Sequence, residues 1–135
     1  MGFGDWIVKK EAQQLVKLYE TTANKMLEPE EKIIGFIASY ENIGSTAKQY
    51  WHLFCFTTRN VIVFVDEGLI KALFTEPERI VSYDRVEIGV RKVLLIQKRP
   101  FIKVQLPNGK TLTSDLTWDD YKQVETILAD KAHKN

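Results

Sequence analysis

WHLFCFTTRNVIVFV, residues 51–65, is the stretch whose reading decides the fold. Two apolar runs flank the four polar residues Thr57, Thr58, Arg59 and Asn60. Short runs rich in β-branched and aromatic residues on either side of a polar break read as a β-hairpin. Both arms are apolar at nearly every position, not at every second one, which predicts a hairpin covered on both faces. It reads as a wall of the domain, not as the frame of a catalytic site.

The grammar of strands extends outward in both directions. Upstream, IIGFIASYENI (33–43) reads as a strand, and Gly44 and Ser45 punctuate the loop after it. Downstream, Asp66-Glu67-Gly68 is a turn, LIKALF (69–74) a short strand, and Pro77 its end. In IVSYDRVEIGVRKVLLIQ (80–97), Val86, Ile88 and Val90 alternate with Glu87, Gly89 and Arg91. Past Lys92 the run VLLI loses that period, which points to a bulge or a change of face. Lys98-Arg99-Pro100 is expected to turn the chain. FIKVQL (101–106) alternates again, with Ile102, Val104 and Leu106 inward. In Pro107-Asn108-Gly109-Lys110 the Asn-Gly pair accepts positive φ and predicts a hairpin into TLTSDL.

A helix is predicted at each end. From Asp5, a candidate N-cap, to about Leu27, the residues Val8, Ala12, Leu15, Tyr19 and Met26 share one face, and Pro29 closes the segment. Its apolar stripe is expected on the domain's own core. The alternative is self-association or a membrane contact through Trp6, Ile7 and Leu15. Near the C-terminus, Thr117 is the candidate N-cap, Asp119 and Asp120 complement the positive first turn, and Trp118, Tyr121, Val124 and Leu128 form the stripe. Residues 1–29 are thus read as an amphipathic helix preceding one domain, 30–135, which ends in a capping helix.

Five runs in order, EKIIGFIASYENI, FCFTTRNVIVF, ERIVSYDRVEIGV, FIKVQLPNGKTLTSDL and WDDYKQVETIL, resemble the bacterial pleckstrin-homology-like domains, including the YokE-like PH group. The likeness covers roughly residues 30 to 131. The family's turn is similar to Thr-Asn-Lys-Arg before an aliphatic strand. Thr57 keeps its first position, and Asn60 stands where the family usually has Arg. The resemblance implies a mainly β fold, a PH-like barrel of about seven antiparallel strands in two sheets capped by a C-terminal α-helix. It implies binding and assembly, not catalysis.

Composition sets the outer limits. A chain of 135 residues fits one domain and can bury roughly two-thirds of its unfolded surface. A content of 44% hydrophobic and 27% charged residues argues against disorder. With Cys55 alone there is no internal disulfide. No apolar run reaches the roughly 18 to 20 residues of a membrane span. The N-terminus lacks a basic region followed by an apolar core, and Trp6 stands where a myristoylation pattern needs Ser or Thr. A cytoplasmic location is expected, with peripheral membrane attachment as the alternative.

The inventory for chemistry is thin. His52 and Cys55, three apart in a strand, point to opposite faces, so they make no dyad. Cys55 reads as a buried small hydrophobe and His52 as a strand residue with one satisfied nitrogen. Neither His52 nor His133 has metal-ligand spacing, and no catalytic residue, metal site or cofactor is expected.

Charge placement says more. The net charge is +1, yet residues 91–110 hold Arg91, Lys92, Lys98, Arg99, Lys103 and Lys110 with no acid. The first 90 residues have ten bases against thirteen acids, and the last 25 have three against five. A basic hairpin therefore stands on a slightly acidic body. Arg91, Lys92, Lys98, Arg99 and Lys103 are the candidate anion or partner site. The competing reading is solvated edge charge that discourages sheet aggregation. Phe101 is the patch's one aromatic, which gives no stacking platform for nucleic acid. The expected partner is a protein or a second copy of the chain, and the alternative is an anionic membrane surface.

Overall fold

The computed structural model describes residues 3–43, 48–66, 79–107 and 109–133, and the side chains of residues 10, 12–39, 51–65, 80–92, 94–107 and 109–132. Helix α1 (Phe3–Asn24) leads into β1 (Ile33–Ile43), β2 (Lys48–Thr57), β3 (Val61–Asp66) and β4 (Arg79–Val81). A 3-10 turn (Tyr83–Arg85) passes the chain to β5 (Val86–Val93), β6 (Gln97–Gln105), β7 (Thr111–Asp115) and helix α2 (Trp118–His133). The strands form two antiparallel sheets, one in the order β1-β2-β3-β4 and one in the order β5-β6-β7. Among the described residues no ladder joins the two, so they form a pair of sheets and not a closed barrel. The expected strand 69–74 and the turns at Gly44-Ser45 and Glu67-Gly68 lie outside the described residues.

The opening hairpin is β2 and β3, in register from Phe56↔Val61 to Trp51↔Asp66. Because side chains alternate along a strand, its two apolar sets serve two cores. Phe54, Phe56, Val61 and Val63 join Ile102, Val104, Val124 and Ile127 between the two sheets and α2. Trp51, Leu53, Cys55, Ile62 and Phe64 lie on the other face, against Tyr19 and Ala23 of α1. The hairpin is covered on both faces, as its pattern predicts, and α1 is what covers the outer one.

Its turn is held by side-chain chemistry. Thr57 Oγ1 accepts the N–H groups of Arg59 (3.1 Å) and Asn60 (3.0 Å) and donates to the Glu31 carboxylate (2.5 Å). Tyr83 Oη donates to the Thr57 carbonyl, and Lys131 Nζ to that of Thr58. The Thr57 hydroxyl ties the turn to the segment before β1, and the backbone carbonyls of Thr57 and Thr58 tie it to the 3-10 turn and to α2.

The helices differ from expectation in detail. Helix α1 starts at Phe3, which leaves Asp5 inside it and not at its cap. Its buried face includes Ala23, which is fully covered. In α2 the Thr117 cap holds, its Oγ1 accepting the Asp120 N–H at 3.1 Å. Ile127 is buried in place of Trp118, whose ring stands half-exposed and edge-on to Tyr121.

The largest departure is the β5–β6 hairpin. The chain turns at Leu94-Leu95-Ile96, between Val93 and Gln97. Lys98, Arg99 and Pro100 are strand residues of β6, opposite Lys92, Arg91 and Val90. Pro100 is tolerated there for a reason of topology. Its carbonyl accepts the Leu116 N–H, so its missing N–H falls on the same side, just past the end of β7, and costs only the return bond of that last pair.

Candidate functional site

The last β6–β7 pair is Phe101↔Asp115. Beyond it β5 and β6 continue as Val90–Val93 paired with Gln97–Pro100, and the Leu116 N–H bond to the Pro100 carbonyl is the last backbone tie from the β7 side among the described residues. Four residues of strand reach roughly 13 Å past the three-stranded sheet. This projecting ribbon is the candidate site.

Register sets the order of its side chains. Arg91 faces Arg99 across the ribbon, and Lys92 faces Lys98 one step nearer the tip. Since successive residues alternate, the arginines occupy one face and the lysines the other. Lys103, grouped with the other four in the candidate site, lies deeper in the sheet opposite Glu87, and pairs with it at 3.6 Å. Arg91 and Arg99 both reach Asp115 at the base of the ribbon, at 2.5 and 3.4 Å. These contacts are solvent-exposed and weak individually. Lys92 and Lys98 have no ion-pair partner among the described residues. The five cations are therefore not equivalent. One is paired away from the ribbon, two share one carboxylate, and two have no ion-pair partner among the described residues.

The tip was not singled out by the sequence pattern. Leu94, Leu95 and Ile96 are 81, 98 and 96% exposed. Single exposed aliphatics are ordinary on a protein surface; three in a row are not, and they make the tip part of the candidate site. Leu94 also holds φ +60°, the left-handed region that glycine or asparagine usually occupies. That backbone costs about 1–2 kcal/mol for a residue with a branched side chain. The signal present in the sequence was the loss of alternation in VLLI, which marked the turn itself and not a bulge.

The other candidate elements lie elsewhere. Leu15 is half-buried against the outer core beneath α1. Trp6 and Ile7 fall within α1, and their side chains lie outside the described residues. No helix among the described residues is long and apolar enough to cross a membrane. Among them, too, no group of three or more His, Cys, Asp or Glu is placed to hold a metal ion.

Cys55 is fully buried in the outer core, and desolvation pushes its thiol up to about 12. A thiol that stays protonated at neutral pH is a poor nucleophile. His52 faces the opposite way, and its Nδ1 shares a hydrogen bond with Ser114 Oγ of β7. Beside it, Ser39 Oγ donates to the Asp115 carbonyl at 2.5 Å. Ser39 and His52 are cross-strand partners, so the pair forms a polar seam between the two sheets.

Burial holds His52 down at about 4, against an ordinary value of 6.5. The unfolded chain therefore takes up this proton first as the pH falls. Stability is full above about pH 6.5 and drops progressively towards pH 4, by on the order of 3 kcal/mol from this residue. Urea titrations at several pH values check this against His52→Asn, which keeps a polar partner for Ser114 but does not titrate. The parent should lose more stability than the variant between pH 6.5 and 4; parallel pH curves would contradict the assignment.

No protein-family model matches this chain, and no curated protein or solved structure does either.

Proposed function

We propose that this chain is a non-catalytic, pleckstrin-homology-like binding module that docks at an anionic membrane surface through the β5–β6 hairpin. The order of a four-stranded sheet, a three-stranded sheet and a C-terminal helix supports the PH-like reading. So does the threonine-anchored turn at Thr57. The observation that carries the membrane reading is the ribbon itself, which projects past its sheet with two half-exposed arginines and two lysines that have no ion-pair partner among the described residues.

A basic side chain near an anionic bilayer contributes about 1 kcal/mol, so four give weak, reversible binding that salt weakens. Vesicle flotation tests it. The chain should float with phosphatidylserine-containing vesicles at low salt, less at high salt, and little with pure phosphatidylcholine. Absence of flotation in every condition would turn the hairpin towards an acidic protein face or a second copy. A solution mass measured across concentration then separates those two.

A further inference from the structure

We infer that the β5–β6 hairpin does not merely rest on the headgroups but inserts Leu94, Leu95 and Ile96 into the outer edge of the hydrocarbon, with its cations as a collar at headgroup depth. This rests on the membrane reading above and adds to it which atoms enter the bilayer and how deep.

The argument is one of layering. Cross-strand partners stand at the same height on a ribbon, so Lys92 and Lys98 form one level and Arg91 and Arg99 the next. The tip lies above both, with only Val93 and Gln97 between. Each level is roughly 3.3 Å from the next, which spreads tip and cations over about the 5–10 Å that interfacial anchors penetrate. The cations also surround the ribbon, because the two pairs occupy opposite faces. A groove on a folded partner would meet one face. A planar anionic layer over an apolar one meets all four charges at once and gives the three aliphatics a solvent. A second copy of the same hairpin is disfavoured, since it would bring four cations against four.

The left-handed Leu94 fits this reading. A turn that only had to reverse the chain in water would be better served by glycine or asparagine there. An aliphatic side chain at that point is useful if it has an apolar medium to enter.

The test places an environment-sensitive fluorophore on Leu95→Cys in the full-length chain. Cys55 is buried with its thiol protonated, so labelling goes to position 95. A label on Thr126→Cys, on the exposed side of α2, is the control. With vesicles of phosphatidylserine and phosphatidylcholine, emission from position 95 should shift to the blue and be quenched by bromines on the acyl chains, while position 126 shows neither. Leu95→Asp/Ile96→Asp should bind these vesicles roughly tenfold or more weakly with its thermal unfolding unchanged. If the parent floats but the label at 95 stays in water, insertion is wrong and surface docking stands. If the parent does not float, the docking reading fails and insertion with it. A blue shift that needs only higher protein concentration, without lipid, would assign the tip to a second copy and overturn the inference.

Discussion

Lys92→Glu/Lys98→Glu is expected to weaken binding to anionic vesicles by roughly a hundred- to a thousandfold at low salt. Each reversal removes one attraction and adds one repulsion, about 2 kcal/mol per site and about 4 for the pair, before screening. The neutral variant Lys92→Gln/Lys98→Gln should lose about half of that free energy, a factor of roughly thirty. These two positions are preferred over Lys98 with Arg99. Arg99 contacts Asp115, so reversing it would also disturb the base of the ribbon. Lys92 and Lys98 are exposed and already a like-charge pair, so replacing both by Glu keeps that relation and leaves the fold alone. Sedimentation with vesicles over a salt series checks it. Equal binding by parent and double variant would remove the hairpin as the electrostatic site.

Phe54→Ala is expected to destabilise the domain by about 3–5 kcal/mol, a large share of the roughly 5–15 kcal/mol typical of one domain. Phe54 is fully buried in the core between the two sheets, next to Ile37 across the β1–β2 ladder and Val63 across the β2–β3 ladder. Its neighbours are strands and a helix already tied by hydrogen bonds, so the cavity cannot close by local collapse. Urea unfolding should show a lower midpoint with an unchanged slope. Leu95→Ala, equally apolar in sequence, should change stability by less than about 0.5 kcal/mol, because that side chain has no core to leave. Similar losses from the two substitutions would mean that the tip is packed against the protein.

That contrast shows how far the chain could be read from its letters. The two-faced hairpin was legible because Leu53 to Phe56 and Val61 to Phe64 are apolar without alternation, a pattern that fits a strand buried on both sides. The register of β6 was legible from Ile102 onward, because Lys103 and Gln105 alternate with buried neighbours. The turn between β5 and β6 was not. Lys-Arg-Pro has the local character of a turn and Leu-Leu-Ile that of a strand, so the reversal was expected four residues too late. The place of the turn also sets the place of the charges: a turn at 98–100 would leave Lys98 and Arg99 at the tip, whereas the structure holds them in β6 opposite Lys92 and Arg91.

The sequence by itself determined several elements and faces: the buried hairpin, the Thr117 cap, the helix stripe against the outer core, and six cations in residues 91–110 with no acid. These follow from hydropathy, caps and charge, which are properties of neighbouring letters. Only the tertiary structure decided that β7 ends at Asp115 while β5 and β6 run on. That single difference in strand length lifts the ribbon clear of the sheet, makes room for Pro100, brings Asp115 beneath the two arginines and leaves Leu94 to Ile96 in solvent. Hydropathy states that an aliphatic residue gains by burial. Whether anything is there to bury it depends on where another strand stops.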